Sequence, residues 1–409
     1  MKKILSALLA AGLIGSCFGG CNSDRYASLP DEYVAGTDYP TSFVPRYNKF
    51  PIAPGEGGYY FTMGDFLFFM DGESKETAPV CSKPDCRHEN ESDASLAWQC
   101  NAYTGTFSFK FLQLYEENLY CLSAANQNEE GKLQISESSS LLKVSPDGTT
   151  HEILCPMPLN LEFIAIHRGY LYYAYMANET TCTLARKKMD ALDEEAEIVF
   201  TLSDAYWGYF FPNGWHIYFF ASSSDDSLST AYDYDLRTQN IEKLFDKQII
   251  EGIVDGKLLC RDQSFNIGTE SETAFTLYDT KTRESTPLCS VSVEPEYSWP
   301  EYATDGKLIY QFLSPRGYPE SEEYNRDDGR RVMMVYDMTG KRLMSTDLQN
   351  LPAPISFAPG DEKYGFFWYE KVYEEGAPLC LDLLKKGEEF KTETIFRRSY
   401  AGLRPDLLG

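Results

Sequence analysis

Three cysteines and one of four histidines crowd into twenty positions of this 409-residue chain. They read Cys81-Ser82-Lys83-Pro84-Asp85-Cys86-Arg87-His88, then Cys100-Asn101-Ala102-Tyr103. Three thiolates and an imidazole make a complete tetrahedral set for a structural Zn²⁺. The spacing C-x4-C-x-H-x11-C matches no standard zinc-finger pattern, so two other chemistries stand beside it. A disulfide between two of the three cysteines, with His88 merely exposed, suits an exported chain. Three free thiols suit a reducing, anaerobic setting. Either cross-link would pin the polar excursion at 81–103. Nucleophilic catalysis by a Cys–His pair lacks a recognisable orienting or oxyanion group nearby.

Other catalytic chemistry is hard to find, and no catalytic residue is assigned. There is no G-x-S-x-G elbow, phosphate loop or dinucleotide fingerprint. His151, His167 and His216 fall in strand-like contexts and read as solvated or satisfied side chains. Acidic pairs occur at Glu129-Glu130, Asp225-Asp226, Glu322-Glu323 and Asp327-Asp328. Glycoside chemistry needs two carboxylates held across a cleft, which makes a carbohydrate-active enzyme the alternative to a binding module. Aromatic residues make up 14% of the chain. Trp207 and Trp299 stand beside Gly or Pro at strand entrances, with Tyr302 close behind Trp299, where they would contact a protein or glycan ligand. The competing reading packs them in the core.

The elements that must hold these residues repeat. One copy reads Gly256-Lys257-Leu258-Leu259, Phe275-Thr276-Leu277-Tyr278-Asp279, then Thr286-Pro287-Leu288-Cys289. The next reads Gly306-Lys307-Leu308-Ile309-Tyr310, Met333-Met334-Val335-Tyr336-Asp337, then Lys341-Arg342-Leu343. Marking the second strand of each copy gives Tyr59, Leu119, Leu171, Ile217, Leu258, Leu308 and Phe366, in steps of 41 to 60 residues. All-strand units of this length predict an all-β chain: a β-propeller of seven four-stranded blades, or six or eight if a terminal unit is misread. The first strand of the first unit would come from residues 41–53 or from the other terminus. Asp71, Asp147, Asp235 and Asp279 recur at third-to-fourth strand turns, where a carboxylate can bond its own turn. Residues 187–195 are the one stretch with a helical period. Cys121 and Cys260 fall on second strands, Cys182 and Cys380 on third strands, Cys155 and Cys289 at the ends of fourth strands. They read as small buried hydrophobes, with Cys121–Cys155 the pair to check for a bridge.

The start of the chain is an address. Lys2 and Lys3 precede an apolar stretch to Ile14, followed by Gly15-Ser16-Cys17. That is a secretory signal, too short for a spanning helix. Ile14-Gly15-Ser16-Cys17 resembles a bacterial lipobox, with Cys17 the acylated residue and Cys21 the second choice. The expected organisation is a signal peptide at 1–16, a tether at 17–40 and one propeller domain at 41–409. Losing residues 1–16 removes Lys2 and Lys3 and no acid, so the formal charge of -25 becomes about -27. Such a surface argues against nucleic acid and suits a soluble extracytoplasmic domain.

Cys81-x-Lys83-Pro84-x-Cys86-x-His88 followed by Cys100-Asn101-Ala102-Tyr103 resembles a signature of β-propeller lipoproteins of unknown function from Gram-positive anaerobes, of the TolB-like propeller type. The resemblance implies a fold and a location, and no activity. The expectation is a monomeric binding or scaffolding module, held to the cell membrane by its lipid and facing a protein or glycan. An envelope sensor or assembly factor is a further alternative.

Overall fold

The structure, a computed structural model, describes residues 23–43, 51–88, 94–105, 111–127, 133–223, 229–262, 271–295, 297–315, 332–347, 356–370, 379–387 and 390–398. The expected signal peptide at 1–16, Cys17 and Cys21 lie outside them. Seven four-stranded antiparallel sheets form a ring, a seven-bladed β-propeller. Blade 1 comprises Ile52–Gly55, Gly58–Met63, Phe66–Asp71 and Thr77–Pro79. Blade 2 comprises Leu112–Tyr115, Asn118–Gln127, Leu133–Val144 and His151–Pro156. Blade 3 comprises Leu161–His167, Tyr170–Asn178, Thr181–Lys188 and Glu197–Ser203. Blade 4 comprises Ala205–Asn213, His216–Ser223, Ser229–Asp235 and Ile241–Asp246. Blade 5 comprises Gln248–Val254, Lys257–Asp262, Ser271–Asp279 and Glu284–Val293. Blade 6 comprises Tyr297–Thr304, Leu308–Pro315, Val332–Asp337 and Arg342–Asp347. Blade 7 comprises Ser356–Ala358, Tyr364–Glu370, Leu379–Lys385 and Lys391–Arg398. Every marker residue falls on a second strand.

Middle strands are apolar on both sides because a neighbouring blade covers each face. Gly58–Met63 is buried throughout, as is Leu379–Lys385 up to its terminal lysine. Outer strands such as Lys391–Arg398 are largely exposed and correspondingly charged. The expected turn aspartates do what their chemistry allows. Asp71 Oδ1 accepts from the amides of Glu73 and Ser74 at 3.0 and 2.7 Å, and Asp279 Oδ1 from those of Lys281 and Thr282 at 2.9 and 3.1 Å. Asp147, Asp235 and Asp337 repeat the arrangement. These amides hold the Asp71 and Asp279 carboxylates below the usual range. Residues 187–195 are not helical: Lys187 and Lys188 end a strand and turns follow.

Each blade uses four consecutive strands, so no strand is shared where the ring closes. The first strand of blade 1 is Ile52–Gly55, and among the described residues the other terminus contributes none. Side chains close the seam between blades 7 and 1. Phe396 packs on Phe61 and Phe68 with ring centroids 5.5 and 4.6 Å apart, and Tyr59 sits edge-on to Phe366 at 5.0 Å. Tyr59 also donates to Asp361 at 2.5 Å. Each fully buried large apolar side chain contributes roughly 1.5–3 kcal/mol, whereas an exposed ion pair such as Lys75–Glu393 gives ~1 kcal/mol or less. The aromatics dominate this seam. Among the described residues no helix is long and apolar enough to cross a membrane.

Candidate metal centre and the strapped mouth

Cys81 follows the last strand of blade 1, and the local chain bends it back. Pro84 supplies the fixed φ of a turn in which the Cys86 amide donates to the Lys83 carbonyl at 3.3 Å. After the short helix Ala94–Ala97, the Cys100 amide donates to Ala97 O at 3.0 Å and the Tyr103 amide to Cys100 O at 3.0 Å. The insertion then pairs with blade 1: Ala102 O accepts from the Leu67 amide at 2.8 Å, and the Thr104 amide donates to Asp65 O at 2.8 Å. Blade 2 presses from the other side. Gly148, at φ +65°, offers its carbonyl to the Ser82 hydroxyl at 3.3 Å and to the Asn101 side-chain amide. A Cβ at Gly148 would sit 2.4 Å from Val80 O, so only glycine lets this turn reach the cluster.

These bends gather the four residues. The ligand atoms of Cys81, Cys86, His88 and Cys100 all lie within 4.8 Å of one another. Tetrahedral zinc with bonds near 2.3 Å to sulfur sets sulfurs about 3.8 Å apart, so the set is close to closed. No disulfide joins the three cysteines in this structure. Backbone amides aim at the sulfurs, from Lys83 and Asn101 to Cys81 and from Ala102 to Cys100. Burial pushes the Cys81 thiol up, and those amides with the neighbouring thiols more than reverse it. Burial, then the Cys86 contact, pushes Cys100 up to about 12. His88 holds a positive φ of 53°, and its Nε2 is buried without a hydrogen-bond partner. Its carbonyl accepts from Arg398 Nη2 at 2.9 Å, a contact to the last strand of blade 7.

The second built feature occupies most of the stretch expected to be a tether. Residues 23–40 are not free; with 41–43 they form a strap. In a four-stranded meander the one–two and three–four turns lie at one end, and the strap runs over that end. Tyr26, in the helix Ser23–Ala27, bonds Tyr115 OH at 2.7 Å. Leu29 O accepts from Trp215 Nε1 at 3.0 Å in blade 4, and Asp31 pairs with Arg237 at 3.0 Å. Asp38 takes Arg168 Nε and Nη2 at 2.8 and 2.9 Å, both side chains buried. The Tyr39 amide donates to His167 Nδ1 at 3.3 Å, so Nε2 carries the proton donated to Gly214 O at 2.7 Å. Tyr39 packs edge-on against Phe163 of an innermost strand at 6.0 Å. Ser42 O then accepts from the Gly360 amide in blade 7 at 2.8 Å, and Phe43 lies against Tyr59 and Phe366. The strap therefore crosses this mouth of the ring from blade 3 to blade 7.

The remaining candidates separate. Tyr302 is corrected: it is 1% exposed, its hydroxyl donates to Thr273 Oγ1 at 2.6 Å and accepts from Gln311 at 3.1 Å, and Phe275 meets its ring edge. A residue so enclosed offers a ligand nothing. Trp207 and Trp299 lie third in the innermost strands of blades 4 and 6, with side chains outside the described ones. The four acidic pairs lie outside the described residues too. His151 packs edge-on to Trp98 of the insertion at 4.0 Å, and burial, then Lys83, pushes it down to about 4. His216 is bound to Asp233 at 2.9 Å. Cys121 and Cys155 cannot bridge: they stand opposite Leu142 and Leu141, consecutive residues whose side chains take opposite faces. Cys289 lies inside its strand rather than at its end.

No protein-family model and no curated protein matches the chain. Solved structures do. A prolyl endopeptidase superimposes with a TM-score of 0.51 at 9% identity, over 96% of this chain and 55% of its own. The likeness is one of fold. This propeller spans about half of that enzyme's length. The β-propeller domain of the trilobed protease from Pyrococcus furiosus, with its open velcro topology, gives 0.46 at 10% identity over 86% of this chain and 96% of its own. TolB from Acinetobacter baumannii gives 0.39 at 12% identity, over 85% of this chain and 79% of its own.

Proposed function

We propose that this propeller is an extracytoplasmic binding or scaffolding module, lipid-anchored at Cys17, with Cys21 the second choice, and that it meets a protein or glycan at the face opposite the strap. The strap carries the proposal. It packs across one mouth, so a ligand approaching that side meets strap residues already bonded to blades 3, 4 and 7. Chain length in the connections supports the same face: the links from Asp262 to Ser271, Pro315 to Val332 and Glu370 to Leu379 all join second to third strands, and insertions in repeat proteins gather on the face that binds. Leu159 and Tyr206, 71% and 49% exposed, stand on four–one connections and strand entries at that end. Six residue steps separate Cys17 from Ser23 and can span at most about 20 Å, so an anchor at Cys17 would hold the strapped mouth towards the bilayer.

Energy transfer to headgroup acceptors tests the orientation, using vesicles bearing the acylated chain. A donor dye at Thr238, in a turn on the strapped side, should transfer more strongly than one at Leu159. Equal or reversed transfer rejects the arrangement. Glycan arrays and pull-downs with the soluble ring identify the ligand, and Leu159→Asp with Tyr206→Ala should reduce its capture at least tenfold.

A further inference from the structure

We propose that Cys81, Cys86, His88 and Cys100 bind one Zn²⁺, and that this ion is the clasp of the ring, fastening the insertion across the seam where blade 7 meets blade 1. Composition and geometry favour the metal over a disulfide. A bridge between two cysteines leaves the third sulfur outside the bond and the buried Nε2 of His88 without a partner. One tetrahedral ion engages all four groups at once. Two sulfurs already accept amides from residues two positions on, Lys83 for Cys81 and Ala102 for Cys100. Outer hydrogen bonds of this kind orient and stabilise thiolate ligands. Three soft donors and one imidazole select zinc over hard cations such as calcium or magnesium.

The clasp role follows from where the insertion is tied. Its start and end hang on Gly148 of blade 2, through Ser82 and Asn101. Its return leg pairs with Asp65 and Leu67 of blade 1. His88, a ligand, holds Arg398 of blade 7 through its carbonyl, and the Arg398 guanidinium lies 4.4 Å over the ring of Phe66. The four ligands thus come from both ends of one excursion that touches three blades. Every blade is made of consecutive strands, so no strand passed between the termini holds the ring shut. A metal joining the two ends of the insertion replaces the missing strand exchange.

Elemental analysis and hydrogen exchange on the full chain, purified with reductant and zinc chloride, test both halves. About one equivalent of zinc is expected, with Cys86→Ser and His88→Gln each lowering occupancy at least tenfold against a competing chelator. Stripping zinc from the unsubstituted protein should speed exchange about tenfold in Gly58–Met63, Tyr364–Glu370 and Lys391–Arg398, and leave His216–Ser223 of blade 4 unchanged. Should the serine variant not fold, the stripped protein and His88→Gln carry the test. Protein without zinc, or with another metal or a disulfide among the three cysteines, overturns the metal site. Zinc at one equivalent whose removal leaves the seam unaltered, or loosens every blade alike, overturns the clasp and spares the site.

Discussion

At the scale of single residues, burial decides what a charge can do. The Arg168 guanidinium has Asp38 on two donors, Glu32 O on Nη2 at 3.1 Å and the Trp215 ring 4.6 Å from its centre. Both partners of that ion pair are about 1% exposed. Removing one partner of such a pair leaves the other charged and dry, which costs about 3–5 kcal/mol. Arg168→Met should therefore destabilise the ring by about that much in denaturant titration, and pairing it with Asp38→Leu should recover much of the loss. A single variant within ~0.5 kcal/mol of the parent would show the pair to be idle. None of this was legible beforehand. Arg168 was only the neighbour of His167, and Asp38 lay in an expected tether. Tyr302 misled for a related reason: an aromatic near a Pro at a strand entrance can be at the surface or under the next blade, and the sequence does not say which. The cysteine–histidine set was legible because four rare ligands so close in the chain can hardly be far apart in space.

At the scale of elements, the strap depends on one glycine and one neutral histidine. Gly214 has φ +57°, and a Cβ there would lie 1.7 Å from Asp31 O. Gly214→Ala should lift the strap, seen as faster proteolysis within 23–43 while the blades stay resistant; unchanged protection would refute the contact. His167 accepts the Tyr39 amide only when unprotonated at Nδ1. Burial first, against the pull of Asp38, lowers its proton affinity to about 4 from the ordinary 6.5. Below 6.5 the unfolded chain binds a proton that the folded chain refuses. Stability is thus full above about pH 6.5, declines as pH falls, and levels near pH 4, a change of about 3 kcal/mol. Melting temperatures measured from pH 7 to 4 should fall, and His167→Gln should flatten the decline. Equal slopes for both proteins would remove His167 as the cause. Strands were legible at this scale, since both-sided coverage writes unbroken apolar runs and Asp marks the turns. The strap was not. Arg168 and Trp215, two of its partners, sit in turns more than a hundred residues away, and it carries no period of its own.

At the scale of the molecule, the number of blades and their order could be read from the spacing of Tyr59 to Phe366. The manner of closure could not, because seam and blade interior draw on the same aromatic residues. Every ladder in the sheets joins segments that follow one another along the chain, whereas Tyr59 and Asp361 meet across 302 positions. Searching for partners is rapid when they are near in sequence and slow when a long stretch must first be looped back. Blades can accordingly form in the order of synthesis, each templating the next, which leaves a single late docking of the final wedge as the slow event of refolding.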